Sequence, residues 1–231
     1  MREVSAAFPA DNEVTTLFVE AMMNRTPWQM WDPRTGDPVE DADTYECREL
    51  LERALQAVEE AGPARHPGLL HLYVHLMEMS PTPEVALRSA DDLRGLVPSA
   101  GHLEHMATHI DVLCGNYQDV VVGNTSGINA DLAYWRNAGA MNFYSMYRTH
   151  NYHFKLYGAM FLGQFGAAMD AVDSMHETVP PELVAFGPFP NFLESYMSLK
   201  THALVRFGRW QELIDEPFPT DPELYTVTTA M

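Results

Sequence analysis

Ser99–Gly115 reads S-A-G-H-L-E-H-M-A-T-H-I-D-V-L-C-G and holds three of the ten histidines of the chain within eight residues. At roughly 100° per residue, His102, His105 and His109 fall within about 60° of one another. The stretch therefore predicts a helix that carries one imidazole stripe and stops at Gly115. The same offsets recur along the chain. Counted back from Gly115, the three histidines lie at minus 13, minus 10 and minus 6. Counted back from Gly163, His150 and His153 take the first two of these offsets and Tyr157 the third. From Pro81, His71 and His75 take minus 10 and minus 6, and from Gly208, His202 takes minus 6, so eight of the ten histidines share one frame. His66 and His176 lie outside it and are expected at the surface.

Working outward from this frame, the chain reads as an all-α array of helical hairpins spanning residues 1–231, near 67–98, 99–131, 148–180 and 192–215. The first helices are expected near 67–80, 100–114, 148–162 and 192–207. Pro67 suits a first helical position, Pro81-Thr82-Pro83 a turn, and Thr82 a cap. Leu132–Tyr147 reads as less regular. Two further helices precede the hairpins, at 12–24 and 43–61. Asp11 or Asn12 caps the first of them, whose buried side is expected to be Val14, Leu17, Phe18, Ala21 and Met22. Asp43-x-x-Glu46 has the pattern of a capping box for the second. Between them, Thr26–Ala42 with its two tryptophans predicts an ordered loop anchored by an aromatic side chain. Asp221 opens a last helix that runs to Met231. No segment shows the sustained alternation of a strand.

Composition narrows the functions. The 231 residues suffice for a sizeable core, and the formal charge of −18, from 14 basic and 32 acidic residues, repels phosphate backbones and anionic lipid. Nucleic acid and membrane are not expected partners. There is no apolar run approaching the ~20 residues of a membrane span, so a soluble chain is expected. Two distant cysteines, Cys47 and Cys114, form neither a disulfide framework nor a thiolate cage, which points to a reducing, cytoplasmic setting. No G-x-S-x-G, P-loop or dinucleotide fingerprint is present.

The turn residues Pro81, Gly115, Gly163 and Gly208 are 34, 48 and 45 residues apart. Gly115-Asn116-Tyr117 with Val120, Gly163-Gln164-Phe165 with Ala168, and Gly208-Arg209-Trp210 with Leu213 repeat a glycine, aromatic, small-residue pattern, followed by Pro98 and Pro180. Over most of residues 67–215 this resembles the tetratricopeptide repeat family. The longer spacings, and Val120 and Leu213 at a position usually small, depart from it. More specifically, H-L-Y-V-H at His71–His75, G-H-L-E-H-M-A-T-H-I at Gly101–Ile110, H-N-Y-H-F at His150–Phe154 and P-W-Q-M-W-D at Pro27–Asp32 resemble a bacterial group of tetratricopeptide-type proteins over nearly the whole chain. Members of that group run longer at both ends, so the resemblance implies a piece of a longer protein. It also implies a superhelical solenoid whose first helices line a concave, ligand-binding face. It implies no particular activity.

On that arrangement His71, His75, His102, His105, His109, His150 and His153 would face one concavity, with Glu78 directed the same way. Neutral imidazole is the commonest ligand for zinc, copper, iron and nickel, and helical i,i+3 and i,i+4 pairs place two ligands on one ion. The seven exceed the three or four that one zinc needs, so a pair of ions, or one ion with outer histidines, would follow. Nitrogen-rich ligation favours copper, iron or zinc over magnesium or calcium. Tyr157 and Glu78 are the candidates for acid–base work, should such a site be a metal-dependent enzyme. The competing reading is a protein-interaction module in which the histidines are a hydrogen-bonded lining for a peptide or a neighbouring domain, with no metal. A clamp for a peptide carboxylate is disfavoured, because the inward rows hold no basic residue other than histidine. No small-molecule substrate can be named from the chain.

Overall fold

A computed structural model describes residues 1–185 and 190–217. It is all-helical: among the described residues the one β-type pairing is an isolated bridge between Trp31 and Pro38. The anticipated helix from Asp221 to Met231 lies outside the described residues. Among the described residues no helix is long and apolar enough to cross a membrane. The chain divides into two compact units, one formed by Met1–Pro98 with Met106–Gly115, the other by Ser99–His105 with the chain from Asn116 onward.

The first unit holds α1 (Arg2–Ala7), α2 (Asn12–Met23), α3 (Thr44–Ala61), α4 (Pro67–Met77), a 3-10 turn at Pro83–Ala86 leading into α5 (Leu87–Leu93), and the later turns of α6 (Gly101–Cys114). α4 packs against α2, α3 and α5. That central position explains why Leu69, Leu70, Leu72, Tyr73, Val74, Leu76 and Met77 are buried around most of its circumference. Asp11 caps α2 by accepting from the amides of Glu13 and Val14. The buried stripe of α2 is rotated from the expected one: Thr15, Phe18, Val19 and Met22 are buried, whereas Leu17 and Ala21 are exposed. The Asp43–Glu46 capping box does not form. Asp43 makes no cap bond; its carboxylate pairs with Arg25, while Glu46 is taken by Arg2. Two arginines offer charge-assisted bonds that outcompete a backbone amide. Thr82 likewise makes no cap bond.

The loop between α2 and α3 is ordered by Trp31, which is 4% exposed and donates its indole N–H to the Leu76 carbonyl at 2.7 Å. Leu76 lies in the last turn of α4, where carbonyls lack intrahelical partners, so the indole caps that end of the helix. Trp28, the other tryptophan of the loop, is exposed.

The second unit holds the first turns of α6, then α7 (Tyr117–Ala138), α8 (Tyr144–Leu162), α9 (Phe165–Thr178), α10 (Pro181–Val184), α11 (Pro190–Tyr196), α12 (Leu199–Arg206) and α13 (Trp210–Asp215). α8 packs on both α7 and α9, with Tyr152, Leu156, Ala159, Ala168, Val172 and Met175 in the core. A Cβ on Gly158 would approach Val120 to 2.9 Å, so this glycine permits the close crossing of α8 on α7. Gly163 ends α8 at φ +70°, a left-handed conformation that a side chain would disfavour.

Two boundaries differ from the sequence reading. The irregular stretch shrinks to Gly139–Phe143: α7 continues to Ala138, where the Gly139 amide bonds the Trp135 carbonyl, and α8 begins at Tyr144 rather than Arg148. The expected helix 192–207 is broken into α11 and α12. At the break, Ser195 Oγ donates to the Phe192 carbonyl and Ser198 Oγ to the Ser195 carbonyl, and such hydroxyl bonds compete with the helix ladder.

Trp31→Phe keeps an aromatic ring and removes only the indole donor from a buried carbonyl. The expected loss is about 1–3 kcal/mol in urea unfolding, with native circular dichroism retained.

Candidate metal centre

In the first unit, His71 and His75 lie one turn apart on α4 with ring centroids 4.7 Å apart. Glu78, three residues on, turns its carboxylate back along the same face. Oε1 meets His75 Nδ1 at 3.0 Å, and Oε2 meets Nδ1 of His109, which α6 supplies. The His75 and His109 rings are 6.1 Å apart, and the Glu78 side chain is 10% exposed. Burial alone would raise the Glu78 pKa. The hydrogen bonds from His109 and His75 outweigh it and hold the carboxyl well below the usual carboxylate range. An ionised carboxylate only accepts, so both imidazoles present N–H at Nδ1. In the neutral ring the ligating lone pair then sits on Nε2.

In the second unit, His105 on α6 and His150 on α8 meet with ring centroids 4.8 Å apart, edge to face. His105 is fully buried, and its Nδ1 lies 2.7 Å from Asn124 Oδ1. The other end of that amide is committed, because Asn124 Nδ2 donates to the Val120 carbonyl at 2.8 Å. The oxygen must therefore face the ring, and His105 donates from Nδ1. Here too Nε2 carries the lone pair. His102 lies one turn back from His105 along α6, beside Tyr147 at 4.8 Å. His153 follows His150 on α8 and lies 5.4 Å from the Tyr196 ring; burial, with the charge of His202 next, lowers its pKa. Tyr196 also places its hydroxyl 3.5 Å from His150 Nδ1. Tyr157 is 39% exposed and packs beside His153 and Phe161 at the outer edge of the aromatic cluster.

The ligand nitrogens of His71 and His75 lie within 4.8 Å of each other, as do those of His105 and His150, and His109 is one turn further along α6. Among the described residues, the histidine groups that could hold a metal ion draw on these residues and on His102, and His153 belongs to none of them. Donor spacings of this size need only small side-chain rotations to close on one ion with Zn–N distances of about 2.0–2.1 Å.

His66, expected at the surface, is a structural residue. Its Nδ1 accepts from the Leu69 amide to cap α4, and its side chain is 16% exposed. His176 is exposed, as expected. Sequence reasoning missed Asn124 and Tyr196. A signal for Asn124 exists: it interrupts the buried stripe of Val120, Val121 and Ile128 on α7, where an amide must find partners. Tyr196 had none, because the break between α11 and α12 interrupts the helical count back from Gly208.

No family model, curated protein or solved structure matches the chain.

Because the folded-state pKa of Glu78 lies below the unfolded value of about 4.3, its pairing stabilises the fold above that pH and is lost on acidification. Glu78→Gln should therefore cost on the order of 1–3 kcal/mol at neutral pH. The gap from wild type should narrow as pH falls below about 4. Urea unfolding of both proteins across that range checks the sign.

Proposed function

We propose that this chain binds a first-row transition ion through neutral imidazoles. The observation that carries the reading is the treatment of Nδ1. His75, His109 and His105 each direct it at an oxygen acceptor, Glu78 for the first two and Asn124 for the third. Metal-ligating histidines almost always donate their other ring N–H to such an acceptor, which fixes the tautomer and orients the ring.

The ligands would be His71, His75, His102, His105, His109 and His150, with His153 and Tyr196 outside them. An imidazole-rich donor set suits copper, iron or zinc. The scaffold reading is tetratricopeptide-like: helices joined at Gly115, Gly163 and Gly208, all at positive φ, supply the repeated helix–turn–helix units that the sequence resemblance implies. The role is accordingly that of a metal-binding helical scaffold. Tyr157, partly exposed beside His153, and Glu78 are the candidates for acid–base chemistry if the bound ion meets a substrate.

Elemental analysis of the purified chain tests the reading directly, with stoichiometric copper, iron or zinc expected. Retention should fall as pH drops through about 6.5, because protonated imidazole cannot ligate. His105→Ala should lower metal content and the thermal stabilisation that the ion supplies. Asn124→Ala, which leaves every ligand in place, should weaken binding about 10–100-fold. Absence of stoichiometric metal, with no shift of melting temperature on adding zinc or copper, would favour the peptide-binding alternative.

A further inference from the structure

Asp131 is a fully buried carboxylate on α7, more than one helical turn from any histidine in sequence. Its Oδ2 accepts from Asn151 Nδ2 at 2.7 Å, and Asn151 directly follows His150 on α8. Its Oδ1 lies against the start of α6: a Cβ on Gly101 would sit 1.9 Å from it. The Tyr144 hydroxyl faces the same carboxylate and also faces the amides of Gly101 and His102. Those amides belong to the first turn of α6, where backbone N–H groups lack helical acceptors and negative charge is favoured. The backbones approach closely at the same place, since a Cβ on Gly127 would lie 2.9 Å from the Gly101 carbonyl and 3.6 Å from His105 Cβ.

One carboxylate thus meets the beginning of the helix that bears His102 and His105, the helix that bears His150, and the hydroxyl between them. We propose that Asp131 is a positioning residue for the histidine cluster, its buried carboxylate setting where α6 starts against α7 and α8 and thereby the approach of His105 to His150. The proposal rests on the metal-binding reading for its purpose and on the geometry alone for its mechanism. Gly101 follows as a requirement, because no other residue leaves room for the carboxylate at the helix start. Asn151 follows as the link to α8, since it answers Oδ2 from the residue beside His150.

The test has two readouts on the 231-residue chain. Cobalt(II) titration, followed through its d–d absorption, reports affinity and coordination. In the metal-free, 15N-labelled protein, the His105 Nδ1 proton held by Asn124 reports the position of that ring without any metal. Asp131→Ala should weaken cobalt binding about 10-fold or more, shift the d–d bands and abolish the protected His105 signal. Asp131→Asn, of the same size and with an oxygen for Tyr144, should recover most of both. Tyr144→Phe should move both readouts in the direction of Asp131→Ala. It decides the question if the alanine variant does not fold. Met175→Ala opens a cavity in the core of the second unit away from this network and should lower stability without changing either readout. An unchanged spectrum and an unchanged His105 signal in Asp131→Ala overturn the proposal, as does equal loss of both in Met175→Ala. If wild type binds no cobalt, the metal reading falls, and the His105 signal alone then decides for or against the positioning role.

Discussion

A carboxylate that is ionised and nine-tenths buried must be met by donors, and at Glu78 those donors are two imidazole nitrogens. Desolvating the charge is expensive unless its oxygens are answered. His75 and His109 answer them, and doing so dictates the tautomer of both rings. The same demand, met by a neutral amide, sets His105 through Asn124. In each case an oxygen that cannot donate, or whose donor end is already spent, leaves the imidazole one choice. In their neutral forms His75, His109 and His105 therefore each carry the lone pair on Nε2.

The surrounding packing serves these contacts. α4 has to be apolar on most of its surface because it is wrapped by α2, α3 and α5. Apart from Tyr73, whose hydroxyl reaches Glu52 on α3, its polar side chains lie on the narrow face that carries His71, His75 and Glu78. Trp31 closes the end of that helix from a loop more than forty residues earlier in the chain. In the second unit, small residues do the corresponding work. Gly158 brings α8 onto α7, and the Gly101–Gly127 approach brings the start of α6 onto α7, so that His105 can reach both Asn124 and His150.

Two buried polar contacts of the second unit pair neighbouring helices. Arg148 is almost fully buried and donates to the Thr178 carbonyl at the end of α9, where negative helix-end charge accumulates. Asp131 and Asn151 pair between α7 and α8. Replacing such groups with apolar ones would leave the opposite partner unanswered in a dry interior, which costs more than the bond itself contributes. The residues beside the histidines on α8 thus specify helix register as well as stability.

Helical periodicity and glycine stops are local properties, and they made the helices, the turns at Gly115 and Gly163, and the histidine stripes legible from the chain alone. The face of a helix that carries an i,i+3,i+4 pattern does not depend on its neighbours, so spacing was enough to group His71 with His75, and His102 with His105 and His109. What each ring meets does depend on neighbours. Asp43 looked like a cap until Arg25 and Arg2 came within reach. His66 looked like a surface residue until its ring turned back on α4. Asn124 and Tyr196 gained their roles only when α7 and α11 were packed beside α6 and α8. Register between helices is decided by side-chain volume and by the pairing of buried polar groups. Both are sums over residues far apart in sequence, which is why tertiary structure alone determined that Nδ1 of His75, His109 and His105 faces an acceptor oxygen.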